Sequence, residues 1–406
     1  MAKHSFVKRL LKVFLVLAAL GVGSVALLLG LLWVEHNSSV TLPTPSGPFP
    51  VGRTTFDWQD SSFTDALAPA GTHRELLVWV RYPAAPGASA APADYLPPAW
   101  RRAMASSTNI LLRKFLTRDF SRVHAHSFEN AGVSPALAEY PVVLLRPGLA
   151  ALTTDDTTLA EDLASHGYVV VGFDAPYRTF VVALPDGRVV RRSPANNPET
   201  LPADQQPALA TKLVTAWVAD ARFVVDRLQE LNSSSANRFS GRLDLSALGF
   251  FGHSLGGATA AQFCHDDPRC KAGIDMDGAP FGTVVQEGLH QPFMFLMSDH
   301  AHESDPAAAQ ILGDLKSIYA RLPAESRLYA TIEGSRHFNF SDQALLKDGH
   351  LGKLVGMIGP MDERRFFAIT TAYVHTFFDV HLKHVPASAL DGLPSLYPEV
   401  QMRPPE

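Results

Sequence analysis

The stretch Gly252-His253-Ser254-Leu255-Gly256 constrains this chain more than any other. The apolar run Leu248-Gly249-Phe250-Phe251 leads into it, and Gly257-Ala258-Thr259-Ala260-Ala261-Gln262-Phe263 follows as a helical segment. A G-x-S-x-G string between a strand and a helix describes a tight, strained turn that lifts the serine hydroxyl clear of a sheet. Glycine is needed two positions either side because a Cβ there would collide with the neighbouring strand or helix. The turn therefore implies a sheet, a helix packed on it, and a serine presented for nucleophilic attack.

The chain around the turn supplies such a sheet. Apolar strand candidates are Val142–Arg146, Tyr168–Phe173, Ala247–Phe251, Ala272–Met276, Pro292–Met297 and Leu328–Ile332. Helix candidates alternate with them at Asp155–Ser165, Gln206–Leu231, Leu255–His265, Pro306–Arg321 and Pro360–Lys383. Strands lacking polar alternation are covered on both faces and so mostly parallel. With intervening helices they predict a doubly wound α/β fold. Two earlier strands are expected near 51–58 and over Glu75–Tyr82, then an Ala/Pro-rich surface loop at 83–98 and a helix over 99–117. In that helix Trp100, Met104, Leu111 and Phe115 share a stripe opposite Arg102 and Arg113. Pro185-Asp186-Gly187 predicts the turn of a hairpin within Phe180–Arg192.

The N-terminus points to a membrane. Lys3, Lys8, Arg9 and Lys12 precede an uncharged run of 22 residues from Val13 to Val34. As a helix that run measures roughly 33 Å, enough to cross the hydrocarbon of a bilayer. It exceeds the core of an ordinary secretory signal, and no A-x-A cleavage site follows it. An uncleaved signal-anchor is the preferred reading and a cleaved signal the alternative; either puts the remainder outside the cytoplasm. The expected organisation is an anchor or signal at 1–36, a Pro/Ser-rich extended linker at 37–50, a catalytic domain at 51–390 and a tail at 391–406. Cys264 and Cys270, in a turn, can form a local disulfide in an oxidising compartment. Over 406 residues, a net charge of −5 without a basic block speaks against a nucleic-acid partner.

A serine hydroxyl needs a base to remove its proton and a third group to orient that base. Chains with this turn carry the order serine, acid, histidine. Glu333-Gly334-Ser335-Arg336-His337 offers the base: a strand end, a turn, then His337. Three aspartates compete for the acid. Asp277, at a strand end before Gly278, is preferred; Asp299 closes the next strand, and Asp275 sits deeper. The oxyanion formed on attack requires donors already aimed at it. These are the N–H groups of Leu255, at the start of the nucleophile helix, and of Leu149 in Arg146-Pro147-Gly148-Leu149-Ala150-Ala151, a stretch that also reads as a plain strand-to-helix turn. His166, His300, His302, His375, His381 and His384 read as surface or packing residues. Asp299, His300, His302 and Asp305 form only a weak metal-like grouping.

With these residues in place, the chain resembles the platelet-activating-factor acetylhydrolases of the plasma and intracellular type II kind and their bacterial relatives. The resemblance runs through Gly47-Pro48-Phe49-Pro50-Val51-Gly52, Pro147-Gly148-Leu149, Leu163-Ala164-Ser165-His166-Gly167-Tyr168 and the Ser254 turn. It continues through Gly273-Ile274-Asp275-Met276-Asp277 and Gly334-Ser335-Arg336-His337-Phe338-Asn339-Phe340. It implies an α/β-hydrolase fold, calcium-independent ester hydrolysis without a cofactor, and a small-molecule or lipid ester as substrate. It makes Ser254 the nucleophile, Asp277 the acid, His337 the base, and Leu149 and Leu255 the oxyanion donors. Pro147 stands where the family often has histidine, and Gly278-Ala279-Pro280 where it often has a larger side chain. Both departures bear on acyl preference. Polyester or lipase-like hydrolysis of longer esters, and a non-catalytic binding protein on the same fold, are the other readings.

Overall fold

The structure, a computed structural model, describes residues 2–85, 87, 90–107, 117–300, 306–324, 326–346 and 349–405. The apolar runs form the centre of one large sheet. Its main strands are β1 (Val51–Thr64), β2 (His73–Pro83), β3 (Tyr140–Arg146), β4 (Val169–Asp174), β5 (Leu243–His253), β6 (Cys270–Met276), β7 (Phe293–Met297) and β8 (Arg327–Ile332). Their spatial order is β1-β2-β4-β3-β5-β6-β7-β8. β2 runs antiparallel to β1 and β4, while β4, β3 and β5 through β8 are mutually parallel.

Every residue of β3, β4 and β7 is buried because helices cover both faces. Val142, Leu144 and Phe250 point into the core formed with Gln206–Ser233 and Leu255–Asp266, where Trp217 and Phe263 lie. Val143, Leu145 and Phe251 point the other way, against Thr157–Ser165 and Glu363–Leu382, with Leu159 and Phe377. Each such side chain contributes about 1.5–3 kcal/mol by leaving water. Helix and sheet approach so closely that a Cβ on Gly249 would lie 2.7 Å from Phe378.

Register then positions the chemistry. Gly252 pairs with Asp275 and His253 with Met276, so Ser254 and Asp277 leave adjacent strands at one height. Met276 pairs in turn with Leu296, which brings the loop after β7 alongside Asp277.

Several expectations need correcting. Residues 37–50 are extended but are not a free linker. Val40–Thr41 pairs in parallel with Val123–His124, Leu42 is buried, and the Ser46 N–H donates to Asp162 at 2.8 Å. Docking leaves the strap's backbone groups bonded and covers Leu42, which a solvated spacer would expose. The boundary at 390 falls inside the short helix Ser388–Asp391, and the expected tail adds an edge strand, with Val400–Met402 antiparallel to β8. Pairing satisfies backbone groups that β8 would otherwise leave open. Of the helix expected over 99–117, Pro98–Ser107 is helical and Trp100 packs on Trp79 with ring centroids 5.5 Å apart. Leu111, Arg113 and Phe115 lie outside the described residues.

The N-terminal helix runs Ala2–Asn37, and the most apolar 18-residue window within Phe6–Asn37 has a mean hydropathy of 2.6 with 6% of that window buried. Its far end is not free. Leu32 is buried, Glu35 pairs with Arg118, and the Asp119 N–H donates to the His36 carbonyl at 2.8 Å.

Candidate active site

Ser254 sits at φ 57°, ψ −127°, in the left-handed region that a side chain avoids unless the surroundings enforce it. A Cβ on Gly252 would come within 2.3 Å of the Gly256 backbone, and one on Gly256 within 1.9 Å of the Arg146 carbonyl. These contacts account physically for both glycines. Ala150 (φ 61°) and Asp277 (φ 56°) are also left-handed, so strain gathers around one spot.

Asp277 directly follows β6, with its side chain wholly buried. The N–H of Ser298 donates to its Oδ1 at 2.7 Å, and the imidazole Nε2 of His300 lies 2.8 Å from the same oxygen. Its Oδ2 is 2.7 Å from Nδ1 of His337. Burial opposes ionisation, but the hydrogen bonds from His300 and His337 outweigh it and hold the carboxyl well below the ordinary range. A carboxylate only accepts, so Nδ1 of His337 carries a proton and Nε2 is left to accept. That Nε2 lies 3.1 Å from Oγ of Ser254. His337 opens a short 3-10 turn after β8, and buried Asn339 braces it by accepting from the N–H groups of Arg336 and Gly359, both at 2.8 Å.

The other two aspartates have different employment. Asp275 is fully buried and accepts the Gly278 N–H at 2.8 Å. Burial, and after that the charge of Asp277, raise it well above the carboxylate range. Asp299 accepts the Gly334 N–H at 3.2 Å, tying the β7 loop to the His337 loop. Sequence reasoning passed over His300, which it treated as a surface or packing residue. The signal available was its place in the loop after β7, beside the strand that leads into Asp277.

The Gly148 backbone lies against Ser254, with a built Cβ 3.1 Å from the serine Cβ. The next residue is Leu149, and Leu255 opens the helix Leu255–Asp266. Among the described residues neither N–H has a hydrogen-bond partner. His253, beside the serine, is buried with its ring 4.6 Å from that of His337; burial first, then His337, push it down to about 3, so it stays neutral. Cys264 and Cys270 are joined in a disulfide with Cα atoms 5.0 Å apart.

Of the metal-like grouping, His302 and Asp305 lie outside the described residues, and His300 faces Asp277. Among the described residues, ligand atoms of Asp162, His166 and His375 fall within 4.8 Å of one another, Asp162 on the helix Thr157–Ser165, His166 just after it and His375 on Glu363–Leu382. The two imidazoles stack face to face at 3.9 Å, so they cannot both aim in-plane lone pairs at one ion without turning.

Residues 224–396, the span holding Ser254, Asp277 and His337, match the family described as platelet-activating factor acetylhydrolase, isoform II. A probable 1-alkyl-2-acetylglycerophosphocholine esterase of Arthroderma benhamiae is 26% identical over 396 residues, covering 89% of this chain and 94% of its own. This chain is a carboxylic ester hydrolase, similar to the platelet-activating factor acetylhydrolases. The platelet-activating factor acetylhydrolase of Cavia porcellus is 25% identical over 240 residues, 55% of this chain and 53% of its own. In three dimensions a ferulic acid esterase from Streptomyces cinnamoneus matches with a TM-score of 0.74, at 26% identity, over 90% of this chain and 99% of that one. The sheet order and this neighbour make the fold that of an α/β-hydrolase.

Proposed function

We propose that this acetylhydrolase-type enzyme cleaves short-chain acyl esters, including those of phospholipids, through an acyl-enzyme on Ser254. The observation that carries this reading is the hydrogen-bonded chain Ser254–His337–Asp277 at a strained strand-to-helix turn. His337 Nε2 takes the proton of Ser254 Oγ as that oxygen bonds to the ester carbonyl carbon. The N–H groups of Leu149 and Leu255 receive the negative oxygen that forms. The carbon–oxygen bond to the leaving alcohol then breaks, and His337 returns its proton to that alcohol. Water, activated by the same imidazole, releases the acid and frees Ser254. Asp277 stays ionised throughout and fixes the imidazole's tautomer. No step requires a cofactor.

A short-acyl preference predicts p-nitrophenyl acetate turnover that falls along an ester series from C2 to C16. Activity peaking above about C8 would favour the lipase or polyester reading. Methyl ferulate belongs in the same panel because the matched solved structure is a ferulic acid esterase. Ser254→Ala should lower kcat by about 10⁴-fold or more and abolish labelling by a fluorophosphonate. Wild-type rates in that variant would overturn the assignment.

The enzyme is further proposed to be tethered to a membrane by residues 1–36, with its catalytic domain outside the cytoplasm. Lys3, Lys8, Arg9 and Lys12 ahead of the apolar run support that orientation. In this organisation the strap 37–50 and residues 391–406 are parts of the catalytic body. Full-length enzyme should resist carbonate extraction from membranes, whereas release of a chain shortened by the N-terminal segment would indicate a cleaved signal.

A further inference from the structure

We propose that His300 is a positioning residue for this reaction, a second imidazole that shares the Asp277 carboxylate with His337 and sets the pH at which the base works. The inference rests on the catalytic reading above. Its observation is a carboxylate held between two histidines. Asp277 Oδ2 faces Nδ1 of His337 at 2.7 Å and Oδ1 faces Nε2 of His300 at 2.8 Å. Ser298 contributes its N–H to Oδ1 at 2.7 Å and its hydroxyl oxygen lies 3.1 Å from the His300 Nε2.

The two imidazoles are not equivalent. Only His337 reaches Ser254, at 3.1 Å. His300 touches no reacting atom, and its side chain is 41% exposed. Because the carboxylate oxygen only accepts, Nε2 of His300 carries a hydrogen in either charge state. Neutral His300 therefore fills an acceptor site that would otherwise be buried without a donor, at a cost typical of an unmade bond to a charged group. Protonated His300 does more: its positive charge competes with the His337 imidazolium for the same anion.

Among the described residues, the other groups near Asp277 do not take this part. His253 is held neutral by burial and by His337, and Asp275 is held protonated by burial. Tyr329, on β8, is pushed up to about 12, first by burial and then by the charge of Asp277. Asp299 is turned to the Gly334 N–H. The sharing also explains why the loop after β7, a position where such an acid could itself have resided, instead supplies two donors to the acid after β6.

The test uses the full chain with p-nitrophenyl acetate, measuring kcat, KM and the acid limb of kcat/KM. His300→Ala should lower kcat about tenfold with KM within about twofold, because the imidazole it steadies is needed in the transition state rather than in binding. His300→Gln keeps a neutral donor without the titration, so it should recover kcat to within about threefold of wild type. Its acid limb should nonetheless follow a single proton and lie about half a pH unit higher than in wild type, since the competing cation is gone. Unchanged acid limbs in both variants, or a His300→Gln kcat no better than that of His300→Ala, would overturn the proposal. Should His300→Ala fail to fold, the His300→Gln profile decides alone. Ser254→Ala distinguishes the two levels: if it retains wild-type activity the catalytic reading fails, and if it is dead while the His300 variants match wild type, only this inference fails.

Discussion

Two regions next to the His337 loop bury aspartates to the same depth and treat them in opposite ways. At the rim of the sheet, Asp277 receives hydrogen bonds from His337, His300 and the Ser298 N–H, and remains ionised. A few residues beyond His337, Asp342 lies in a polar pocket with Asp156, at the start of the helix Thr157–Ser165. There the Thr158 N–H, at 3.2 Å, is the contact that Asp342 Oδ2 makes, and burial pushes the group up to about 8. Asp156 is 1% exposed with both oxygens unpartnered, and burial, then Asp342 and Asp155, raise it well above the carboxylate range. Burial alone therefore does not decide whether an aspartate can work as an anion. The number of donors converging on it does.

The contrast can be broken most directly at Asp277. Asp277→Asn removes the anion and allows the wrong histidine tautomer, and should lower kcat by about 10³–10⁴-fold while fluorophosphonate labelling slows in parallel. A loss under tenfold would mean that the charge held at the rim is not what catalysis uses.

The pocket predicts the opposite sign. A carboxyl raised in the folded state favours folding fully below the unfolded value near 4, and that advantage is lost as pH rises through the folded value. Wild-type stability should thus fall between about pH 4 and pH 8. Asp342→Asn should remove part of that slope, gaining on the order of 2–4 kcal/mol relative to wild type across the window, with kcat little changed. Urea denaturation at a series of pH values measures it; parallel curves for the two proteins would contradict the assignment.

The smallest effect sharpens the comparison within one strand. Asp275, two residues before Asp277, is already neutral, so Asp275→Asn replaces one uncharged acceptor by another. Its kcat should stay within about threefold, and stability within about 1 kcal/mol. Damage equal to that of Asp277→Asn would show that Asp275 carries charge after all.

What was legible in the sequence was local or periodic. The glycines around Ser254 answer to contacts within one strand–turn–helix unit, and the apolar runs of β3 to β8 answer to burial on both faces, so both appear as short patterns. The helix expected over Pro306–Arg321 is observed over those same residues, and β7, expected over Pro292–Met297, is observed over Phe293–Met297. Less legible were elements whose sequence is polar or Pro-rich. The strand Val123–Glu129 carries two histidines, a serine and a glutamate, and the strap 37–50 shows no periodicity that announces Leu42 as a buried contact.

By itself, then, the sequence determined that a nucleophilic turn exists, that a covered parallel sheet supports it, and that an apolar N-terminal helix precedes the enzyme. These depend on neighbours a few positions apart. Only the tertiary structure decided which of three aspartates faces His337, that His300 stands on that acid's other oxygen, and that Asp342 and Asp277 differ in charge. Those outcomes depend on strand register and on donors from distant segments, because the field at a buried carboxyl is set by what converges on it in space.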